Sequence, residues 1–251
     1  MTGPDFAGTP PPDAPASKAS VFEDFIDVFY APSSVYERRR TASPWVPIIV
    51  VGLVIGVGYL ASAGAMQPMM DAEFNRGMQA ALEKNPELTP EMMQQGRAIG
   101  EVGAKVGAFL GAPMAIALTG IVLFLVSRLF DATQSVRASI LIAAYAFVPR
   151  MLQAILMPIQ LQFANPENLD GMYRLSVGPA RFLDPDTASA LAVAVAGRLD
   201  LFVLWTTVLL AIGLVVIGRI PRAQAWMVAA MVWVVGAVPA LWGAMNAVSP
   251  G

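Results

Sequence analysis

Five long apolar runs, separated by polar or proline-bearing connections, restrict this chain more than any other feature. They lie at residues 45–66, 106–127, 139–161, 199–217 and 223–245. The fourth can begin near residue 189, because 190–197 is already apolar. A helix needs roughly 20 such residues to cross a hydrocarbon core, and lipid tolerates only backbones that satisfy their own polar groups. The pattern predicts an all-α fold, a polytopic membrane bundle of five transmembrane helices at residues 45–246. Composition agrees, since 14% of residues are charged against about a quarter in soluble domains. Pro47, Pro113, Pro149, Pro158 and Pro239 fall in or near the runs. They predict kinks rather than breaks, with Pro149 bending the third span.

Arginines mark one side of this bundle. Arg38, Arg39, Arg40, Arg128, Arg137, Arg219 and Arg222 all flank helix ends facing the same way, and the positive-inside rule assigns that side to the cytoplasm. The amino terminus is then cytoplasmic and, with five spans, the carboxyl terminus lies outside. The opposite connections, 67–105 and 162–198, are longer, and the first is rich in acid. Residues 68–84 read as a helix, Asn85-Pro86 as a break, and Thr89-Pro90-Glu91 as a fresh helix start. The expectation is an extramembrane helical hairpin at about 67–105.

Residues 1–20 are rich in Pro, Ala and Asp and predict a disordered tail. No basic segment leads straight into an apolar one there, so the first run is expected to act as an uncleaved anchor. Residues 21–30 follow with helical spacing: Phe22, Phe25, Ile26 and Phe29 on one face, Glu23, Asp24 and Asp27 on the other. Together with the basic stretch that follows, they make a cytoplasmic amphipathic and juxtamembrane segment, 21–44. Its helix is read either as an interfacial anchor or as packed on the end of the bundle. An acidic polar face suits an anionic leaflet poorly, which favours packing.

Small residues recur on the long second helix at Gly96, Gly100, Gly103, Gly107 and Gly111, with Gly52 and Gly56 as a notch on the first. Such stripes let helices approach closely. Packing between helices one and two is the favoured reading; a homo-oligomer interface is the other. Two charges stand out at membrane depth, Arg150 beside Pro149 and Asp200 in the fourth run. Each costs roughly 2.5–3.5 kcal/mol in lipid on insertion scales, so each should turn inward and seek a partner. An intramembrane Arg150–Asp200 pair or a shared polar pocket is expected, the other reading being a structural pair that only fixes helix packing.

Cysteine and histidine are both absent, which removes disulfides, thiolate nucleophiles, imidazole bases and the usual zinc, haem and iron–sulfur ligands. No metal site, cofactor or catalytic residue is expected. Met66, Met69, Met70, Met78, Met92 and Met93 crowd the hairpin and are read as adaptable packing. A net charge of −2 gives no footing for nucleic acid.

Specific runs carry a resemblance. Val28-Phe29-Tyr30-Ala31-Pro32-Ser33, Val35-Tyr36-Glu37-Arg38-Arg39, and Trp45 with Pro47 resemble bacterial members of the Yip (Ypt-interacting protein) family. So do Ala143-Ala144-Tyr145 with Val148-Pro149, Leu199 through Trp205, and Arg222-Ala223-Gln224-Ala225-Trp226. The resemblance implies five spans, a cytoplasmic amino terminus and a non-enzymatic role. The Asp-Leu-Tyr-Gly-Pro segment of eukaryotic relatives is missing, so binding to Rab-type GTPases is not carried over. Abundant Arg, Ala, Gly and Val suit a bacterial gene, and hence the inner membrane. The expected function is a scaffold or organiser of membranes acting through protein or lipid contacts. The alternative is a small permease or lipid/solute transporter built around Arg150 and Asp200. A polar cavity reaching Arg150 would favour the alternative, and a dry glycine-packed bundle the scaffold.

Overall fold

A computed structural model of the chain describes residues 20–165, 169, 171–184 and 187–248. The tail assigned as disordered lies outside these residues except for Ser20. All regular structure among the described residues is helical, and five helical stretches are long and apolar enough to cross a membrane.

Two short helices precede the bundle, α1 (Val21–Asp27) and α2 (Pro32–Arg38). The start of α1 is sealed reciprocally: the Ser20 hydroxyl accepts from the Glu23 N–H at 3.2 Å, and the Glu23 carboxylate from the Ser20 N–H at 2.8 Å. Pro32 opens α2, where its missing N–H is not needed. The faces of α1 differ from the sequence expectation. Asp24, Phe25 and Val28 are buried, while Phe22 and Ile26 are 76% and 63% exposed. The reason is Asp24, whose carboxylate is drawn inward by two arginines described below.

Two long helices follow, α3 (Trp45–Lys84) and α4 (Pro90–Ser127). At 40 residues and 1.5 Å per residue, α3 is about 60 Å long, roughly twice the thickness of a hydrocarbon core. Thr89 caps α4 by accepting from the Met92 N–H at 3.3 Å. The far parts of α3 and α4 are tied by Arg97, which pairs with Asp71 at 2.5 Å and Glu101 at 3.2 Å and lies 5.5 Å from the Phe74 ring centroid. Met66 and Met69 are buried in a small cluster with Leu161 and Leu169, where their flexible chains fill irregular space.

The third stretch is divided into α5 (Val136–Ala146) and α6 (Val148–Phe163). The interruption at Phe147 stands two residues before Pro149, which has no N–H to continue the ladder. The fourth is divided more sharply. α7 (Ala190–Arg198) is a separate helix, and α8 (Leu201–Gly213) starts after Asp200 and widens into a π turn at Leu214–Gly218. The fifth consists of α9 (Arg222–Val235) and α10 (Val238–Val248). α3 packs on α4 and α6, α4 on α5 and α9, α8 on α5 and α9, and α7 on α10.

The main core brings α1 and α2 together with α5, α8 and α9. Tyr36 is fully buried, donates to the Ile142 carbonyl at 3.2 Å, and meets Tyr145 edge-on at 6.3 Å. The N-terminal helices therefore form part of the bundle at its arginine-rich end. Phe29 adds an edge-on contact with Trp205 at 5.2 Å.

Candidate functional site: an arginine-lined cavity

At the opposite end of the bundle, α3, α4, α6 and α8 leave a cavity of about 610 Å³. A neighbouring cavity of about 410 Å³ runs beside α4, α8 and α9. Arg150, Arg198, Ile55, Ala112 and Val203 line both, so the two arginines stand where the spaces adjoin. Apolar groups dominate the walls, with Gln153, Gln160, Tyr173, Ser176 and Asp200 as polar interruptions of the larger cavity. An apolar pocket with a few converging polar groups is the usual form of a small-molecule site.

Asp200 is not inside the fourth span, as its sequence position suggested, but at the break before α8. It is 4% exposed and serves as N-cap. Its Oδ1 accepts from the Phe202 N–H at 2.9 Å, and its Oδ2 from the Ser176 hydroxyl at 2.9 Å and the Val177 N–H at 2.8 Å. The helix dipole favours a carboxylate there. These bonds use both oxygens, and among the described residues no ion pair joins Asp200 to Arg150. The structure brings the two residues to one cavity with no bridge between them among the described residues.

Arg150, third residue of α6, donates from Nη1 to Gln153 Oε1 at 3.3 Å. Arg198, the last residue of α7, donates from Nη2 to the Trp233 carbonyl at 2.6 Å, and the Trp233 indole N–H returns a bond to the Arg198 carbonyl at 3.1 Å. Its guanidinium lies 5.4 Å from the Trp233 ring centroid. The Nε of each arginine is buried without an acceptor.

The glycines divide into two groups. A Cβ on Gly52 or Gly56 would collide with Pro113 or Phe109 of α4, so these two do permit close approach. The stripe on α4 does not match them. Gly96, Gly100, Gly103, Gly107 and Gly111 have nothing within 4 Å of an added Cβ. Phe109 and Pro113 make the contact with α3 instead, and the glycine face turns elsewhere. Gly107 and Gly111 border the cavities. Their missing side chains leave space rather than close it.

The arginines used for orientation gather at the other end in part. Arg38 reaches Asp24 at 2.7 Å and Asp27 at 2.5 Å, and Arg39 reaches Asp24 at 2.5 Å. Asp24 also accepts from the Tyr145 hydroxyl at 3.2 Å. Arg40 donates to the Val216 carbonyl at 3.0 Å, and Arg128 to the Gln134 carbonyl at 3.3 Å. Arg219 occupies a left-handed turn at φ 57° between α8 and α9, Arg222 opens α9, and Arg137 lies in the first turn of α5. Much of the charge of Arg38 and Arg39 is thus taken up within the protein. The Asp24 hydrogen bond foremost, then Asp27, holds the Arg38 guanidinium above its usual range. Burial pushes the Tyr36 hydroxyl well above the ordinary phenol, with Tyr145 adding to it.

Sequence reasoning missed Arg198 by placing it in a loop. The signal was its position after the apolar stretch 190–197 and two residues before Asp200. In the sequence Tyr145 stands only within the Ala143-Ala144-Tyr145 run, and Asp24 only on the acidic face of the first helix. Neither residue type nor spacing announces that they meet. Among the described residues, no cluster of three or more carboxylates is placed to hold a metal ion.

Comparison with curated proteins and with solved structures gives no match. The Yip1 domain family does match, over residues 26–243, which takes in α2 and nearly all of the bundle. By the extent of that match this chain belongs to the Yip1 domain family, and it is an integral membrane protein.

Proposed function

We propose that the chain is a non-enzymatic membrane protein that acts by lipid contact, holding an amphipathic guest in the cavity beside Arg150; that cavity and the unpacked α4 glycines move the reading from a dry scaffold toward the lipid-transporter alternative. The observation that carries this reading is the cavity of about 610 Å³. Its α4 wall is open at Gly107, and Ala108 and Ala112 continue the small-residue lining. Apolar walls suit an acyl chain, and the polar end suits a headgroup. On the orientation expected from the arginines, this polar end belongs to the outer half of the bundle.

Filling the cavity tests the reading. Gly107→Leu and Ala108→Trp should leave the purified protein folded while sharply lowering the amount of co-purifying lipid measured by native mass spectrometry. Unchanged lipid content in both variants would remove this function. Permeation is the second reading, favoured by the adjoining cavity of about 410 Å³ that extends past the arginines to Thr119, Thr206 and Thr207. Solute flux into proteoliposomes, lost on the same substitutions, would select it.

A further inference from the structure

We propose that Arg150 and Arg198 form a binding site for a phosphate-type oxyanion, and this rests on the cavity being a ligand site. Two guanidinium groups and one carboxylate line the larger cavity at this end, so its charges sum to one positive. The carboxylate is already committed, since Asp200 receives three hydrogen bonds while capping α8. Among the described residues, neither arginine has a carboxylate within ion-pairing distance.

Their protein partners are neutral: a glutamine side chain for Arg150, and a backbone carbonyl and an indole ring for Arg198. Asp200 acts on Arg150 only through space, and a buried cation without a bonded counterion is unfavourable, so such a site gains most from an anion. The Nε of each group is closed off without an acceptor, so the terminal Nη groups supply the donors. Guanidinium forks match the oxygens of a phosphate in spacing and charge.

The surroundings suit the same ligand. Ile55, Ala112 and Val203 border both cavities, giving a phosphodiester headgroup two directions in which an apolar tail can lie. Arg198 is fixed against Trp233, so its position is set before the anion arrives, which reduces the ordering cost of binding. The shared chemistry is a tetrahedral oxyanion, supplied either by a phospholipid headgroup or by free phosphate.

The test begins with the unaltered full chain stripped of phospholipid in dodecyl maltoside, a detergent that carries no phosphate. Inorganic phosphate is titrated against chloride at matched ionic strength, with tryptophan emission as the readout because Trp233 touches Arg198. In a parallel arm the protein is exchanged into nanodiscs containing phosphatidylglycerol, and retained phospholipid is counted by native mass spectrometry. A saturable response to phosphate assigns the free anion; selective retention of phosphatidylglycerol assigns the headgroup. Arg150→Gln and Arg198→Gln should each weaken whichever binding is seen by about tenfold, while Arg97→Gln on the far hairpin leaves it unchanged. No response in either arm overturns the proposal, as does equal binding by the Arg150→Gln/Arg198→Gln double variant. The cavity is judged separately with diacylglycerol, a neutral amphiphile. Its retention without anion binding would sink the oxyanion site and spare the cavity; loss of both would sink the two together.

Discussion

Tyr145 donates its hydroxyl to Oδ2 of Asp24 at 3.2 Å across 121 residues of chain. That bond, with Arg38 and Arg39 on the same carboxylate, fastens the N-terminal helices into the bundle. Asp24→Asn keeps the shape and removes the charge, leaving two arginines and a phenol facing a neutral amide. Breaking one side of a buried ion pair costs about 3–5 kcal/mol. The arginines retain some contact with water, which reduces the expected loss to about 2–3 kcal/mol. A lower thermal midpoint and faster trypsin cleavage after Arg38 to Arg40 should accompany it; unchanged cleavage would argue that Asp24 does not hold the segment.

Glycines on α8 and α4 should respond oppositely to an added methyl. A Cβ on Gly213 would overlap the Ile142 side chain and crowd Tyr36, whereas Gly103 has nothing within 4 Å. Gly213→Ala should therefore destabilise by about 1–3 kcal/mol through overpacking. Gly103→Ala should be neutral or stabilising by up to about 1 kcal/mol, because alanine is the better helix former. Thermal midpoints of the two variants in the same detergent decide it, and a large loss at Gly103 would indicate a partner on that face.

Acid and alkali should both loosen α1. Hydrogen bonds from Tyr30 first and Arg38 second hold the Asp27 carboxyl below its ordinary value of 3.8. A depressed carboxyl favours the folded form above the unfolded pKa, and that contribution disappears as pH falls through the lower, folded value. The bond to Asp27 raises the Tyr30 hydroxyl above 10, so its contribution is complete below pH 10 and is lost as pH rises through the raised value. Trypsin sensitivity of the segment should be flat between about pH 5 and 9 and climb at both extremes. Tyr30→Phe should weaken the alkaline limb, the remainder of which comes from the buried Tyr36 hydroxyl; an unchanged limb would contradict the assignment to Tyr30.

Phe22 and Ile26 project away from the bundle. Replacing each by Ser should alter the thermal midpoint in detergent by an amount equivalent to no more than about 0.5 kcal/mol, as for other exposed positions. A substantial drop would place them in a packed interface instead.

The five spans were legible in the chain because lipid imposes length and hydrophobicity on each segment independently of the others. The cap at Thr89 was equally local, since it depends on neighbouring backbone groups. Tertiary structure alone decided which faces meet. Periodicity placed Asp24 on the acidic face of α1, opposite Phe22, but pairing with Arg38, Arg39 and Tyr145 turned it inward and left Phe22 outside. It placed the α4 glycines against α3, but Phe109 and Pro113 took that contact. The cost of charge in lipid predicted a pair or a shared pocket for Arg150 and Asp200; in the fold both line one cavity, and the carboxylate is bonded by the Phe202 N–H at the start of α8 and by Ser176 and Val177. Hydrophobic pattern reports how much of a segment must leave water. Which partner a buried charge finds depends on distances that only the folded bundle sets.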